Sequence, residues 1–240
     1  MRTILVFFDT LNRSALGAYG GTATATPNFD RFAERAQCFD NHYAGSLPCM
    51  PARRDLHTGR MNFMHRSWGP LEPFDNSLPA LLGDGGVYSH LVTDHFHYFE
   101  DGGANYHTRY NTWDLIRGQE YDTWKPTVSP NTQRYKKLYS NKNYNHPSEN
   151  NRLQHQVNRD YIQIEEEHPG PRCVKAALEF LEVNKNSDNW FLQLECFDPH
   201  EPFFVPDHYK EKLPESGYNG PVLDWPRYGP AEYAPEEVAE

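Results

Sequence analysis

The chain has 240 residues, 38% of them hydrophobic and 14% aromatic, with a formal net charge of -10. This length suits one large domain or two small ones, and the 19 prolines and 16 glycines place much of its polarity in loops. The acidic balance excludes nucleic-acid binding along an extended basic surface, while a local basic pocket for a small anion stays open because net charge describes the whole surface. No stretch nears the ~20 apolar residues of a membrane span. The opening MRTILVFFDT lacks the apolar run of a signal peptide, so a cytoplasmic, reduced protein without membrane contact is expected. The four cysteines are Cys38, Cys49, Cys173 and Cys196; no C-x-x-C pair supports a zinc knuckle or a thioredoxin-type site.

Along the chain, TILVFFD reads as a buried strand of a parallel sheet with Asp9 at its C-terminal end, where open α/β sheets place their ligands. TPNFDRFAERA reads as a helix, with Thr26 as cap, Pro27 at its first position, and Phe29, Phe32, Ala33 and Ala36 on one face. QCFDNHYAG is a candidate strand. PARRDLHTGR opens a helix at Pro51 and ends it near Gly59, and SLPALLGDGG is a short helix. VYSHLVTDHFH is a strand running into a polar end. From about Glu100 to Glu167 the chain is rich in Tyr, Asn, His and Gln and poor in aliphatics; it reads as an irregular insertion with short helices, a lid or substrate wall. CVKAALEFLEVNK is an amphipathic helix with Val174, Ala177, Leu178 and Leu181 inward. NWFLQLECFDPHEPF is an apolar strand ending in Asp198-Pro199-His200. Alternating strands and helices predict an α/β sandwich with a mostly parallel sheet. Cys38, Cys173 and Cys196 sit in apolar or strand-like contexts and read as core filler. Cys49 lies in LPCMPARRDLHTGR, where local pattern leaves a disulfide, a metal ligand, a nucleophile and filler all open.

The stretch CMPARRDLHTGR resembles the signature of the sulfatase family, C-x-P-x-R-x-x-x-x-T-G-R, matching at Cys49, Pro51, Arg53, Thr58, Gly59 and Arg60. Six fixed positions at roughly 5% each give a chance match on the order of 10⁻⁸ per starting position. ILVFFDTLNRSALGAYGG is similar to the family's opening strand and L-G-x-Y-G turn, TPNFDRFAERAQCFDNHYAGS to its T-P-N-x-D helix and following strand, and FDPHEPF to its P-H-x-P element. The likeness is close over about residues 3 to 65, local near 90–97 and 190–204, and poor through the insertion.

The resemblance implies an alkaline-phosphatase-like three-layer α/β/α fold and hydrolysis of sulfate esters, with phosphonate monoesters or phosphodiesters as the substrates of some relatives. It also implies that Cys49 is oxidised to formylglycine, an aldehyde that hydrates to a geminal diol. The thiol would then be a precursor, made into the working group by a formylglycine-generating or anaerobic sulfatase-maturating enzyme. An oxygen nucleophile on a divalent cation suits anionic esters, because the cation stabilises its deprotonated form.

On the same resemblance Asp9 is a metal ligand together with position 49. Thr10 stands where many relatives carry a second aspartate, which removes one anionic ligand; calcium is expected, with manganese or magnesium as alternatives. Arg53 would hydrogen-bond the nucleophile. His97 falls on a family histidine that contacts formylglycine, and His95 falls where a sulfate-gripping lysine would stand, so oxyanion stabilisation there would depend on pH. His200 would bind the transferred group or protonate the leaving oxygen. Thr58 and Gly59 read as structural, and Arg60 as the partner of a nearby acid. The family's later D-[NH]-G turn is missing after residue 200, so residues 1–240 read as the N-terminal part of a catalytic domain, incomplete at the C-terminus and with little activity alone. The organic half of the ester is left open, a sugar or an aryl group. A non-catalytic binding protein that retains the fold is the alternative of another class.

Overall fold

The computed structural model describes residues 1–144, 150–213, 216–230 and 232–239. Four parallel strands, β1 (Arg2–Phe8), β2 (Tyr88–Thr93), β3 (Thr112–Leu115) and β4 (Trp190–Cys196), form one sheet in the order β1-β4-β2-β3. Its helices are α1 (Pro27–Ala33), α2 (Cys49–Thr58), α3 (Leu78–Asp84), α4 (Thr132–Leu138), α5 (Asn150–Arg159), α6 (Pro169–Val183), α7 (Asp207–Lys210) and α8 (Pro235–Ala239). Parallel pairing needs crossovers, and these lay α6 on one face and α2 and α3 on the other, giving three layers.

The period-2 alternation of β4 explains how the layers hold. Trp190, Leu192, Leu194 and Cys196 face α6, where they pack with Cys173, Ala177 and Val92. Phe191 faces the other way with Leu91, Tyr110 and Leu82, and Gln193 and Glu195 share that side. Every residue of β4 is buried, as a central strand requires. No helix among the described residues is long and apolar enough to cross a membrane.

Several elements depart from the sequence reading. β1 is an edge strand here, and Ile4 and Val6 are each 48% exposed because α6 lies over β4 and β2 instead. QCFDNHYAG forms no strand: no strand among the described residues pairs with it, and two of its carbonyls accept from side chains instead, Phe39 O from Tyr19 Oη and Asp40 O from Arg13 Nη1. α1 stops at Ala33, short of Ala36; Phe29 meets Phe8 edge-on at 5.7 Å, but Phe32 is exposed. Thr26 makes no capping bond, its hydroxyl instead accepting from Gly17 N and approaching Asp30. α6 begins four residues before Cys173, and its inward stripe is Cys173, Ala177 and Phe180 with Ala176 and Leu181; Val174 and Leu178 lie one step round the helix and are exposed. Cys38 is exposed, whereas Cys173 and Cys196 fill the core. The segment 100–167 supplies β3, the fourth strand. Its sequence TWDL shows one half-buried residue in four, too weak a pattern to stand out.

Candidate active site

The C-terminal ends of β1, β2 and β4 converge on the start of α2. Cys49 is the first residue of α2, and Gly59 ends that helix in the left-handed conformation at φ 66°, the cap expected of a glycine. Asp9 follows β1, with its backbone N–H bonded to Cys196 O, and Asp94, His95 and His97 follow β2. Asp94 ties the two strand ends together by accepting from Phe197 N at 2.7 Å. Ligand atoms of Asp9, Cys49 and His95 all lie within 4.8 Å of one another.

Arg53 is the hub of this floor. Its Nη2 lies 2.8 Å from Asp9 Oδ2 and 2.7 Å from Glu195 Oε1, its Nε donates to the same Glu195 oxygen at 2.9 Å, and its ring-facing side lies 4.7 Å over Phe7. Its Nη1 reaches the Cys49 backbone carbonyl at 3.4 Å, so here it anchors the first turn of α2 on the strand ends. Glu195 also accepts from Tyr98 Oη and Gln193 Nε2 through its other oxygen. This arrangement leaves a fully buried charge compensated from three sides.

The neighbouring arginine looks away from the site. Arg54 forms a two-pronged pair with Asp75, through Nε at 2.9 Å and Nη2 at 2.8 Å, and Arg60 approaches the same carboxylate at 3.6 Å. Thr58 Oγ1 donates to the Arg54 carbonyl. These contacts give Thr58, Gly59 and Arg60 the structural roles read from the sequence.

Burial works against the charge of Asp9, but its hydrogen bond with His95 and the Arg53 guanidinium hold the carboxyl well below the usual carboxylate range. Burial, then the Asp9 carboxylate, push the Cys49 thiol up to about 12. Burial and the Arg53 charge push His95 down to about 3, while it donates through Nε2 to Asp9 Oδ2 at 3.1 Å; its Nδ1 is buried with no hydrogen-bond partner. Thr10 adopts φ 57°, unusual for a β-branched residue, and its hydroxyl donates to Asp9 Oδ1 at 3.0 Å. Thr10 thus serves the carboxylate beside it.

The two histidines after β2 do different things. His95 sits with Asp9 and Cys49 on the floor. His97 turns to two acids: Nδ1 meets Glu100, and Nε2 lies 3.1 Å from Glu120 Oε2. Against burial, these two carboxylates raise His97 to about 9. His200 packs on Phe197 with centroids 4.3 Å apart and donates from Nδ1 to the Glu201 carbonyl at 2.6 Å. Phe197 also meets the rings of His95 at 5.0 Å and His97 at 6.5 Å, so His200 lies one ring away from both.

Glu195, Tyr98, Glu100 and Glu120 were not singled out by sequence. Gln193 and Glu195 did leave a signal, two polar residues at i and i+2 inside an otherwise apolar strand. Glu120, in RGQEYD, left none.

The donor chemistry of Asp9, Cys49 and His95 fits part of the coordination sphere of a divalent cation. A carboxylate, position 49 and an imidazole form a mixed set; with oxygen at position 49 the set becomes oxygen-rich, which suits calcium, magnesium or manganese better than a thiolate would.

An all-parallel sheet between helical layers, with acids and histidines at its strand ends facing the N-terminus of one helix, defines an α/β protein of the alkaline-phosphatase-like class. The chain belongs to the sulfatase family, whose model matches residues 2–222. It is similar to an arylsulfatase of Clostridium perfringens (strain 13 / Type A), 21% identical over 235 residues, covering 92% of this chain and 48% of that one. Among solved structures it is similar to a phosphonate monoester hydrolase of Agrobacterium radiobacter (TM-score 0.57, 20% identity, 92% of this chain and 45% of that one). A second is a structure in complex with its substrate D-glucosamine-2-N,6-O-disulfate (TM-score 0.55, 18% identity, 86% of this chain and 36% of that one). The chain thus spans less than half the length of these relatives.

Proposed function

We propose that this chain carries the nucleophile half of a sulfate-ester hydrolase, with Cys49 as the precursor of formylglycine. The observation that carries the reading is the meeting of the signature cysteine with Asp9, His95 and Arg53 at the strand ends. Membership of the sulfatase family and the sulfated-sugar ligand of one structural neighbour support it. Asp9, position 49 and His95 would hold a divalent cation, calcium, manganese or magnesium, which when bound stabilises an oxygen nucleophile in its deprotonated form.

The chain's own residues supply the rest. Arg53 fixes the first turn of α2 against the strand ends, so position 49 is presented at one place. His200 donates its Nδ1 proton to Glu201 O, which leaves Nε2 to take up a proton and deliver it to the leaving oxygen. His97, held between two carboxylates, keeps a fixed orientation beside His95. Tyr98, fully buried, donates to Glu195 Oε2 and keeps water from the Arg53–Glu195 pair. With less than half of a relative's length present, part of the cation's ligand set is proposed to lie outside this chain, and its own rate to be low.

Hydrolysis of phosphonate monoesters or phosphodiesters by the same nucleophile is the second reading, favoured by the phosphonate monoester hydrolase among the structural neighbours. The test is the rate on an aryl sulfate and on an aryl phosphonate after coexpression with a maturating enzyme, with Cys49→Ala as the blank. Sulfate cleavage above the blank supports the first reading. Cleavage of the phosphonate alone supports the second, and turnover undiminished in Cys49→Ala contradicts both.

A further inference from the structure

Two cationic side chains at the site, Arg53 and His97, stand among four carboxylates, Asp9, Glu195, Glu100 and Glu120. An anionic ester entering this surplus of negative charge needs positive charge to accompany it. Asp9 and Glu195 are engaged by Arg53 on the floor, where a divalent cation would add its charge. Glu120 stands beyond His97 and is the least satisfied of the four: it is 4% exposed, and its buried Oε2 has the ion pair to His97 Nε2 at 3.1 Å but no hydrogen bond. Burial pushes its carboxyl upward and His97 opposes that push; a second cation beside it would favour the ionised form further.

The turn that carries Glu120 is held rigidly. Glu120 sits at φ 45°, a strained value for a side chain of this size. On one side Gln119 Nε2 donates to Asp198 at 2.9 Å, and on the other Asp122 is gripped by Arg117 and by the Gly118 N–H. The Glu120 carbonyl itself is bonded to His155 Nδ1 at 3.1 Å. Glu120 pairs with His97, whose ring stands 5.1 Å from that of His95 on the floor. Tyr121, next in the chain, and Trp68 both stand edge-to-face to His97. A carboxylate among aromatic rings is a receptor for an ammonium group.

We propose that Glu120 is the specificity-determining residue on the alcohol side of the ester, receiving an ammonium group on the substrate's organic half, so that the preferred substrate is a sulfate ester of an amino alcohol. This rests on the ester-hydrolase reading above. The carboxylate cannot serve the sulfate side, where it would repel the transferring group, and so must face the leaving alcohol.

The test is calorimetric binding of three probes that share one sulfate head, 2-aminoethyl sulfate, 2-hydroxyethyl sulfate and propyl sulfate, in manganese-containing buffer. The wild-type chain is expected to bind the ammonium probe about tenfold more tightly than propyl sulfate, the size of one charge-assisted hydrogen bond. Glu120→Gln should erase that preference and Glu120→Asp should keep part of it. Equal affinities in the wild type, tightest binding of the hydroxyl probe, or a preference that survives Glu120→Gln overturns the proposal. If the glutamine variant fails to fold, the wild-type order and the aspartate variant decide. Failure of all three probes to bind overturns the ester-hydrolase reading together with this one, whereas equal binding of all three overturns this one alone.

Discussion

The floor and the wall of the site are built on different principles. Asp9, Cys49, Arg53, His95 and Glu195 stand on strand ends and on the first turn of one helix, and each is gripped by a residue from another element. Glu100, Glu120 and Tyr121 stand in the segment 100–167, where bonds inside the segment, such as Arg117–Asp122 and Asn158 to the Asp122 carbonyl, hold the turn together with one bond from Gln119 to Asp198. Floor positions are therefore tied to the sheet, and changing them disturbs fold and chemistry together. Wall positions are tied to a turn and can change while the scaffold stays, which is why specificity is placed there.

The sharpest contrast comes from Arg53→Met. It strands two buried carboxylates, so we expect about 3–5 kcal/mol of lost stability in urea unfolding. A loss below about 1 kcal/mol would show that the floor is not the keystone drawn here. Asp75→Asn, beneath the floor, should cost somewhat less because Arg60 and Asn62 still reach that corner. It also has a pH signature. The hydrogen bond and charge of Arg54 overcome burial and lower the Asp75 carboxyl in the folded state. Its contribution is whole above the ordinary carboxylate pKa of about 3.9 and fades as pH falls through the lowered folded value. Urea midpoints of the wild type should therefore drop further between pH 6 and pH 3 than those of Asp75→Asn, in each case on the scale of about one carboxylate; parallel curves would contradict the assignment.

Gly59→Ala tests the far end of the motif helix. Its φ of 66° costs a Cβ about 1–2 kcal/mol, and no neighbour crowds the added atom, so the loss should be purely conformational and visible as a lowered Tm. On the wall, Glu120→Gly removes an ion pair but relieves a left-handed backbone, so the net change should stay within about 1 kcal/mol. A loss as large as that of Arg53→Met would erase the distinction between the two regions.

The floor, Glu195 inside β4 excepted, was legible in the sequence because its residues sit where apolar runs end. TILVFFD closes on Asp9, VYSHLVT on Asp94 and His95, and a signature with an invariant-looking spacing fixes Cys49 and Arg53 on one helix turn. The C-terminal end of α2 followed from Gly59 and the bounds of α3 from Pro79 and Gly85, whereas α2 opens at Cys49, two residues before the expected Pro51. The roles of the two histidines were not legible, since spacing puts both at a strand end and only tertiary contact separates His95, on Asp9, from His97, between two glutamates. The wall was not legible at all: Glu120 is brought to the site by a turn whose bracing partners, Asp198 and His155, are 79 and 35 residues away from the residues they hold. The exposed faces of α1 and β1 were misread for a related reason. An apolar pattern shows that a face seeks a cover, not which element supplies it.

Formylglycine chemistry requires position 49 to be more than a half-buried thiol. The most direct measurement is the mass of the peptide containing residue 49 after coexpression with a maturating enzyme. Conversion of CH₂SH to CHO makes that peptide about 18 Da lighter and reactive toward hydrazide probes, which is the predicted result. An unmodified cysteine mass, in a preparation where the maturating enzyme converts a known substrate peptide, would contradict it.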